Sequence, residues 1–181
     1  GNAGTFRVEA EGVEFVGLEI RRQHTAVENE ICCGDQDLIA LGSGSQNSRV
    51  RTTRLDGGSA AITCADVLSG TTAPPTGKDC IDAQGTGATS STPILIEDTE
   101  IAYCFDRGVK SANGYLQVHN SWVHHNLRGG VFAQNPDGVL EAVGNLIESN
   151  GQNCPTGDPS GCGMSQELSL IHISEPTRLA E

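Results

Sequence analysis

Apolar and polar positions along this chain repeat over a long period. The stretch "ILIEDTEIAYCFDRGV" begins at Ile94 and "LQVHNSWVHHNLRGGV" begins at Leu116. Both open on two apolar residues one apart, Ile94 and Ile96, then Leu116 and Val118. Both place another five further on, at Ile101 and Val123, and both close on Gly-Val, at Gly108-Val109 and Gly130-Val131. Each equivalent pair is separated by 22 residues, with hardly any other side chain in common. A third copy starts at Leu140, with Ile147 in the place of Val123. Two upstream copies, "FVGLEI" and "VRTTRL", extend the series. One apolar column is then Phe15, Val50, Ile96, Val118 and Ala142; the second is Ile20, Leu55, Ile101, Val123 and Ile147.

A repeat near 22 residues, with three short apolar segments divided by Gly or Asn, predicts one turn of a parallel β-helix per copy. Each coil gives one strand to each of three sheets, and coils stack about 4.8 Å apart. The fold expected is therefore all-β, a right-handed parallel β-helix of about five coils with three parallel sheets. The repeated apolar positions point inward and the variable ones outward or into loops. Outward residues offer an independent check, because the columns were aligned on apolar residues alone. Glu19, Arg54 and Glu100 alternate in charge up one face, which favours neighbouring strands by a few tenths of a kcal/mol per pair. A corner column reads Thr52, Asp98, Asn120, Gly144, and Asn126 and Asn150 form another; both are expected to be hydrogen-bonded turn ladders.

Asn at the corners and the Gly-Val that closes two of the copies resemble the right-handed parallel β-helix repeat proteins, which include pectate-lyase-like folds. The resemblance covers roughly residues 4–151. It implies a fold, and a superfamily of lyases, hydrolases, esterases, adhesins and passenger domains, so it does not fix an activity.

Composition narrows the picture. Among 181 residues there are 23 glycines and only 4% aromatics, which suits short strands and tight turns. No apolar run is long enough for a membrane-spanning helix. A formal net charge of −12 argues against nucleic acid, since phosphate binding needs clustered Lys and Arg. It suits a secreted or cell-surface protein, a calcium binder or a protein handling sugars, and a monomer is expected. Residues 1–164 are assigned to the β-helix, with inserted loops at about 21–37, 56–79 and 151–164, and the chain is read as a piece of a longer protein. Residues 165–181 are set aside as a non-native or disordered tail: Leu168–Arg178, "LSLIHISEPTR", resembles a translated sequencing-library adapter.

Seven cysteines fall between the third strand of one coil and the first strand of the next, along one edge of the solenoid. That favours disulfides and an oxidising compartment. The pairings expected are Cys154 with Cys162 across "PTGDPSG", and Cys64 with Cys80 across "TTAPPTG". The odd count leaves one thiol over. No CxxC spacing supports zinc.

In the lyases that this fold resembles, substrate runs along the first-strand sheet. The outward residues expected there are Arg7, Ala40, Asp82, Lys110 and Phe132. Adjoining loops add Asp106 and Arg107 in "CFDRGVK", and His124, His125 and Arg128 in "HHNLRGG". The resemblance implies β-elimination on a uronic-acid polymer, which needs a base, a neutralising charge for the sugar carboxylate and a proton donor. Lys110 is the candidate base, beside Arg107 or Arg128; Arg128, or calcium held by Asp82 and Asp106, is the candidate neutralising charge. His124 or His125 is the candidate donor, and Phe132 and Arg7 the candidate substrate contacts. The site otherwise needs no cofactor. No group of aspartates is evident on neighbouring first strands, which makes hydrolysis by paired carboxylates the weaker enzyme reading. The alternative is a non-catalytic structural or adhesive solenoid, in which Lys110 and Asp82 are a cross-strand ion pair.

Overall fold

A computed structural model describes residues 6–22, 37–58, 79–84, 86–127, 129–133 and 138–151. The expected Cys154–Cys162 bridge, Cys64, Arg128, most of the three inserted loops and the C-terminal tail lie outside the described residues. Fifteen strands and no helix occur among the described residues. They form three parallel sheets of five strands each, the right-handed parallel β-helix of five coils that the repeat predicts. No helix of the described residues is long and apolar enough to cross a membrane.

Each coil contributes its first, second and third strand to sheets A, B and C. The coils are β1 (Phe6–Val8), β2 (Glu14–Val16) and β3 (Glu19–Arg21); β4 (Ile39–Leu41), β5 (Arg49–Arg51) and β6 (Arg54–Asp56); β7 (Ile81–Ala83), β8 (Ile94–Glu97) and β9 (Glu100–Ala102). Two more follow: β10 (Arg107–Ser111), β11 (Gly114–His119) and β12 (Trp122–His124), then β13 (Gly129–Ala133), β14 (Gly138–Val143) and β15 (Leu146–Glu148).

The register matches the sequence columns at every step. Phe15 pairs with Val50, Val50 with Ile96, Ile96 with Val118 and Val118 with Ala142. Ile20, Leu55, Ile101, Val123 and Ile147 do the same in sheet C. All of these are buried, and all but Ala142 join Ile39, Ile81, Val109 and Val131 from sheet A in one continuous core. Stacking β-branched and Leu side chains directly over one another removes their apolar surface from water, at about 25 cal/mol per Å². Outside, Arg54 lies 3.9 Å from Glu19 and 3.4 Å from Glu100, as the alternating column requires.

The corners explain the polar columns. Gly17, Thr52, Asp98, Asn120 and Gly144 all have positive φ, the conformation that turns the chain from sheet B into sheet C. Their N–H groups donate up the stack, Thr52 to Glu97 O and Asp98 to His119 O. Small polar or Gly residues tolerate this backbone best. At the exit from sheet C, Asn126 Nδ2 donates to Asn150 Oδ1 at 2.8 Å, and Cys104 N–H donates to Asn126 Oδ1 at 2.9 Å. A buried ladder of this kind satisfies turn amides that have no strand partner.

Gly108 and Gly130 face that ladder. A Cβ on Gly108 would lie 2.8 Å from Asn126 Nδ2, and one on Gly130 would lie 2.8 Å from Asn150 Nδ2. The recurrent Gly-Val is thus a steric requirement: the start of each of these two coils passes against the Asn at its end. By register Cys80 occupies the glycine position of the third coil, since Ile81 pairs with Val109. Cys104 occupies the Asn position, 22 residues before Asn126. The two are joined in a disulfide with Cα atoms 5.5 Å apart. This corrects the Cys64–Cys80 pairing. Cys80 is drawn to its partner by coil geometry, which sets the start of a coil against its own end, rather than by nearness along the chain.

Replacing Cys104 with Ala should lower stability by about 3 kcal/mol in the chain-entropy account of a bridge of this span. The double variant Cys80→Gly/Cys104→Asn should recover part of that loss by rebuilding the corner of the two later coils. Urea denaturation of the three proteins checks this; a double variant no more stable than Cys104→Ala would refute the equivalence.

Candidate functional site

Sheet A carries the largest concentration of buried charge among the described residues. Its outward row is Arg7, Ala40, Asp82, Lys110, Phe132, each paired with the next in register. Lys110 Nζ lies 3.4 Å from Asp82 Oδ2 and 3.8 Å from Asp79 Oδ2. Gln84 Nε2 also donates to Asp82 Oδ2. The other Asp82 oxygen, Oδ1, is buried without a hydrogen-bond partner, and Ala40 on the adjoining strand offers it no donor.

Asp37 and Asp79 complete the cluster. Each sits two residues ahead of its first strand, in the place that Arg107 takes two residues ahead of Val109. Their carboxylates cap the chain of the next coil: Asp79 N–H donates to Asp37 Oδ1 at 3.0 Å, and Arg107 N–H donates to Asp79 Oδ1 at 2.9 Å. Oxygens of Asp37, Asp79 and Asp82 all lie within 4.8 Å of one another. Asp106 approaches the same centre but pairs with the buried Arg107, at 2.9 Å. Arg107 also lies 3.9 Å from Asp79 Oδ1, and its guanidinium sits 4.3 Å from the centre of the Phe132 ring.

Four carboxylates thus surround two cations, Lys110 and Arg107. Removing carboxylates from water favours their neutral form unless charge or hydrogen bonds compensate. Burial pushes the Asp79 carboxyl up to about 8, aided by Asp106 and Asp82 and opposed by Arg107. Burial likewise raises Asp37 to about 7, with Asp82 adding to the effect. An excess of two negative charges is balanced either by protons on these two carboxyls or by one divalent cation. Three convergent carboxylates, one with a free buried oxygen, are a donor set that fits calcium.

The remaining predicted residues lie elsewhere. Arg7 is exposed, two strands away from Asp82, and paired with Glu9 at 2.7 Å. His124 projects from β12 on sheet C, where its ring stacks on Trp122 with centroids 3.8 Å apart. Its Nδ1 lies 2.7 Å from Nδ1 of His125, and its Nε2 lies 3.4 Å from Glu100. Neither histidine has a hydrogen bond or ion pair with Lys110 or Asp82. The structure therefore brings together Asp82, Asp106, Arg107, Lys110 and Phe132, and leaves Arg7, His124 and His125 outside that group.

No family model, no curated protein and no solved structure matches the chain.

Asp37 and Asp79 hold protons in the folded protein at pH values where the unfolded chain, near 3.8, has lost them. Stability should therefore fall as pH rises from about 4 towards 8. Asp79→Asn keeps an acceptor for the Arg107 amide and removes one of the two titrations. It should flatten this fall and exceed the parent in stability at about pH 8, as read from urea midpoints at about pH 5 and 8. A parent whose stability rises over that interval would contradict the assignment.

Proposed function

We propose that this chain belongs to a secreted or cell-surface solenoid of the pectate-lyase-like kind, which holds an acidic polysaccharide against sheet A. The observation that carries the reading is the convergence of Asp37, Asp79 and Asp82 beside Lys110. Burying this much charge is costly, and perturbed carboxyls gathered at one place are a mark of functional sites. The disulfide between Cys80 and Cys104 supports an oxidising compartment.

Asp37, Asp79 and Asp82 would hold a calcium-class ion, which when bound supplies positive charge for a uronate carboxylate. Of the two cations in the cluster Lys110 is the nearer to the surface, with 18% of its side chain exposed against 9% for Arg107, and would pair with the same uronate carboxylate. Phe132 keeps one ring face against Arg107 and offers a sugar the remainder. An ammonium between two carboxylates suits charge neutralisation; as a free amine Lys110 would instead take the proton in β-elimination. The paired ammonium favours the first role.

A second reading has its own support. The carboxylates of Asp37 and Asp79 each accept a backbone N–H from the next coil, a structural task sufficient in a non-catalytic solenoid.

Calorimetric titration with polygalacturonate, with and without calcium, separates the two readings. The sheet A reading expects calcium-dependent binding that Asp82→Asn abolishes. Lys110→Ala should weaken it about tenfold, ~1.4 kcal/mol, while Lys110→Arg retains it. New ultraviolet absorbance in the product would mark elimination. Absence of binding to every uronate polymer tried, at any calcium level, would leave the structural solenoid as the better account.

A further inference from the structure

Sheet C carries a second organised surface, far from sheet A in its chemistry. Trp122 stands outward from β12 and is 41% exposed although it is the largest side chain of the protein. It is not loosely held. One face stacks on His124 with an interplanar angle of 26°, and Nε1 donates to Glu148 Oε1 at 3.0 Å. His124 in turn meets His125, and the Tyr103 ring packs on His125 with centroids 5.5 Å apart. Tyr103 and His125 occupy equivalent corner positions with φ of 56° and 52°, so the backbone stack sets their spacing. The result is a rigid aromatic shelf built across two coils.

The three strands that build the shelf carry only acidic charge. β9, β12 and β15 contain no Lys or Arg. Glu19 pairs with Arg54 and Arg21 with Asp56, which leaves Glu100 sharing Arg54 and, among the described residues, Glu148 bonded to the indole alone. His124 does not neutralise them: burial lowers its pKa, against the pull of Glu100. An exposed indole face between two carboxylates suits a ring-shaped ligand that carries positive charge, because stacking and cation–π attraction then act together.

We propose that this shelf is a binding site for amino sugars, taking a hexosamine ring with a free ammonium group on Trp122 and pairing that ammonium with Glu148 and Glu100. Such a ligand is the opposite in charge of the one assigned to sheet A, so the two sites would engage different glycans.

Trp122 is the single tryptophan of the chain, so its fluorescence reports this site alone. A glucosamine oligomer should give a saturable emission change. The N-acetylated oligomer, which keeps the rings and loses the charge, should bind at least tenfold more weakly, and a galacturonate oligomer should give no response. Glu148→Gln and Glu100→Gln should each bring glucosamine affinity towards that of the acetylated oligomer, and Trp122→Ala should abolish the heat of binding in calorimetry. Asp82→Asn should leave all of this unchanged, which separates the outcome from that of the sheet A reading. No saturable response to glucosamine, or equal affinity for the charged and acetylated oligomers, would overturn the proposal.

Discussion

Parallel strand pairing at constant register is the constraint on which the rest of this structure depends. Each coil has no independent core. It buries its apolar residues only because the coil above and the coil below repeat them at the same place. The backbone ladder holds Ile96 between Val50 and Val118, and a slip of one residue would send every inward side chain outward. The number of residues between coils varies while the register on either side is kept. The same register delivers function: any two outward residues in one column become neighbours, however far apart they lie in the chain.

This constraint explains why the core was legible in the sequence. The apolar columns, the Glu19–Arg54–Glu100 alternation and the Asn corners all follow from spacing, and each appears where spacing puts it. Lys110 beside Asp82 was legible for the same reason, since both sit inside strands of the repeat. Asp37 and Asp79 were not. They lie ahead of their strands, 42 residues apart, where insertions obscure the period. Their signal was available in one form: both precede an Ile by two residues, as Arg107 precedes Val109. Cys104 was similarly readable as the counterpart of Asn126, and Cys80 as the counterpart of Gly108. Pairing cysteines by the loops they flank ignored those columns.

The histidines teach a different lesson. His124 and His125 are adjacent in sequence to the loop that leads into β13, which suggested the sheet A groove. A three-sided coil turns sharply at each corner, however, and an outward side chain on the third strand of one coil faces away from the first strand of the next. Sequence distance to a site is a poor guide in such a fold; the face of the prism decides. On sheet A, buried carboxylates outnumber cations and call for a counter-charge. On sheet C, an aromatic shelf is held open by its own hydrogen bonds. One repeating backbone thus presents two surfaces of unlike chemistry.

The disulfide has a mechanical consequence. Cys80 opens the third coil and Cys104 ends it, 24 residues later, so the bridge turns that coil into a covalent ring threaded in the middle of the stack. A solenoid pulled from its ends unwinds by surrendering contour length one turn at a time. Here the third turn cannot surrender any, which withholds about 80 Å of extension at roughly 3.4 Å per residue. Under tension the molecule would part into two springs separated by a rigid washer, and only a reductant would join them into one.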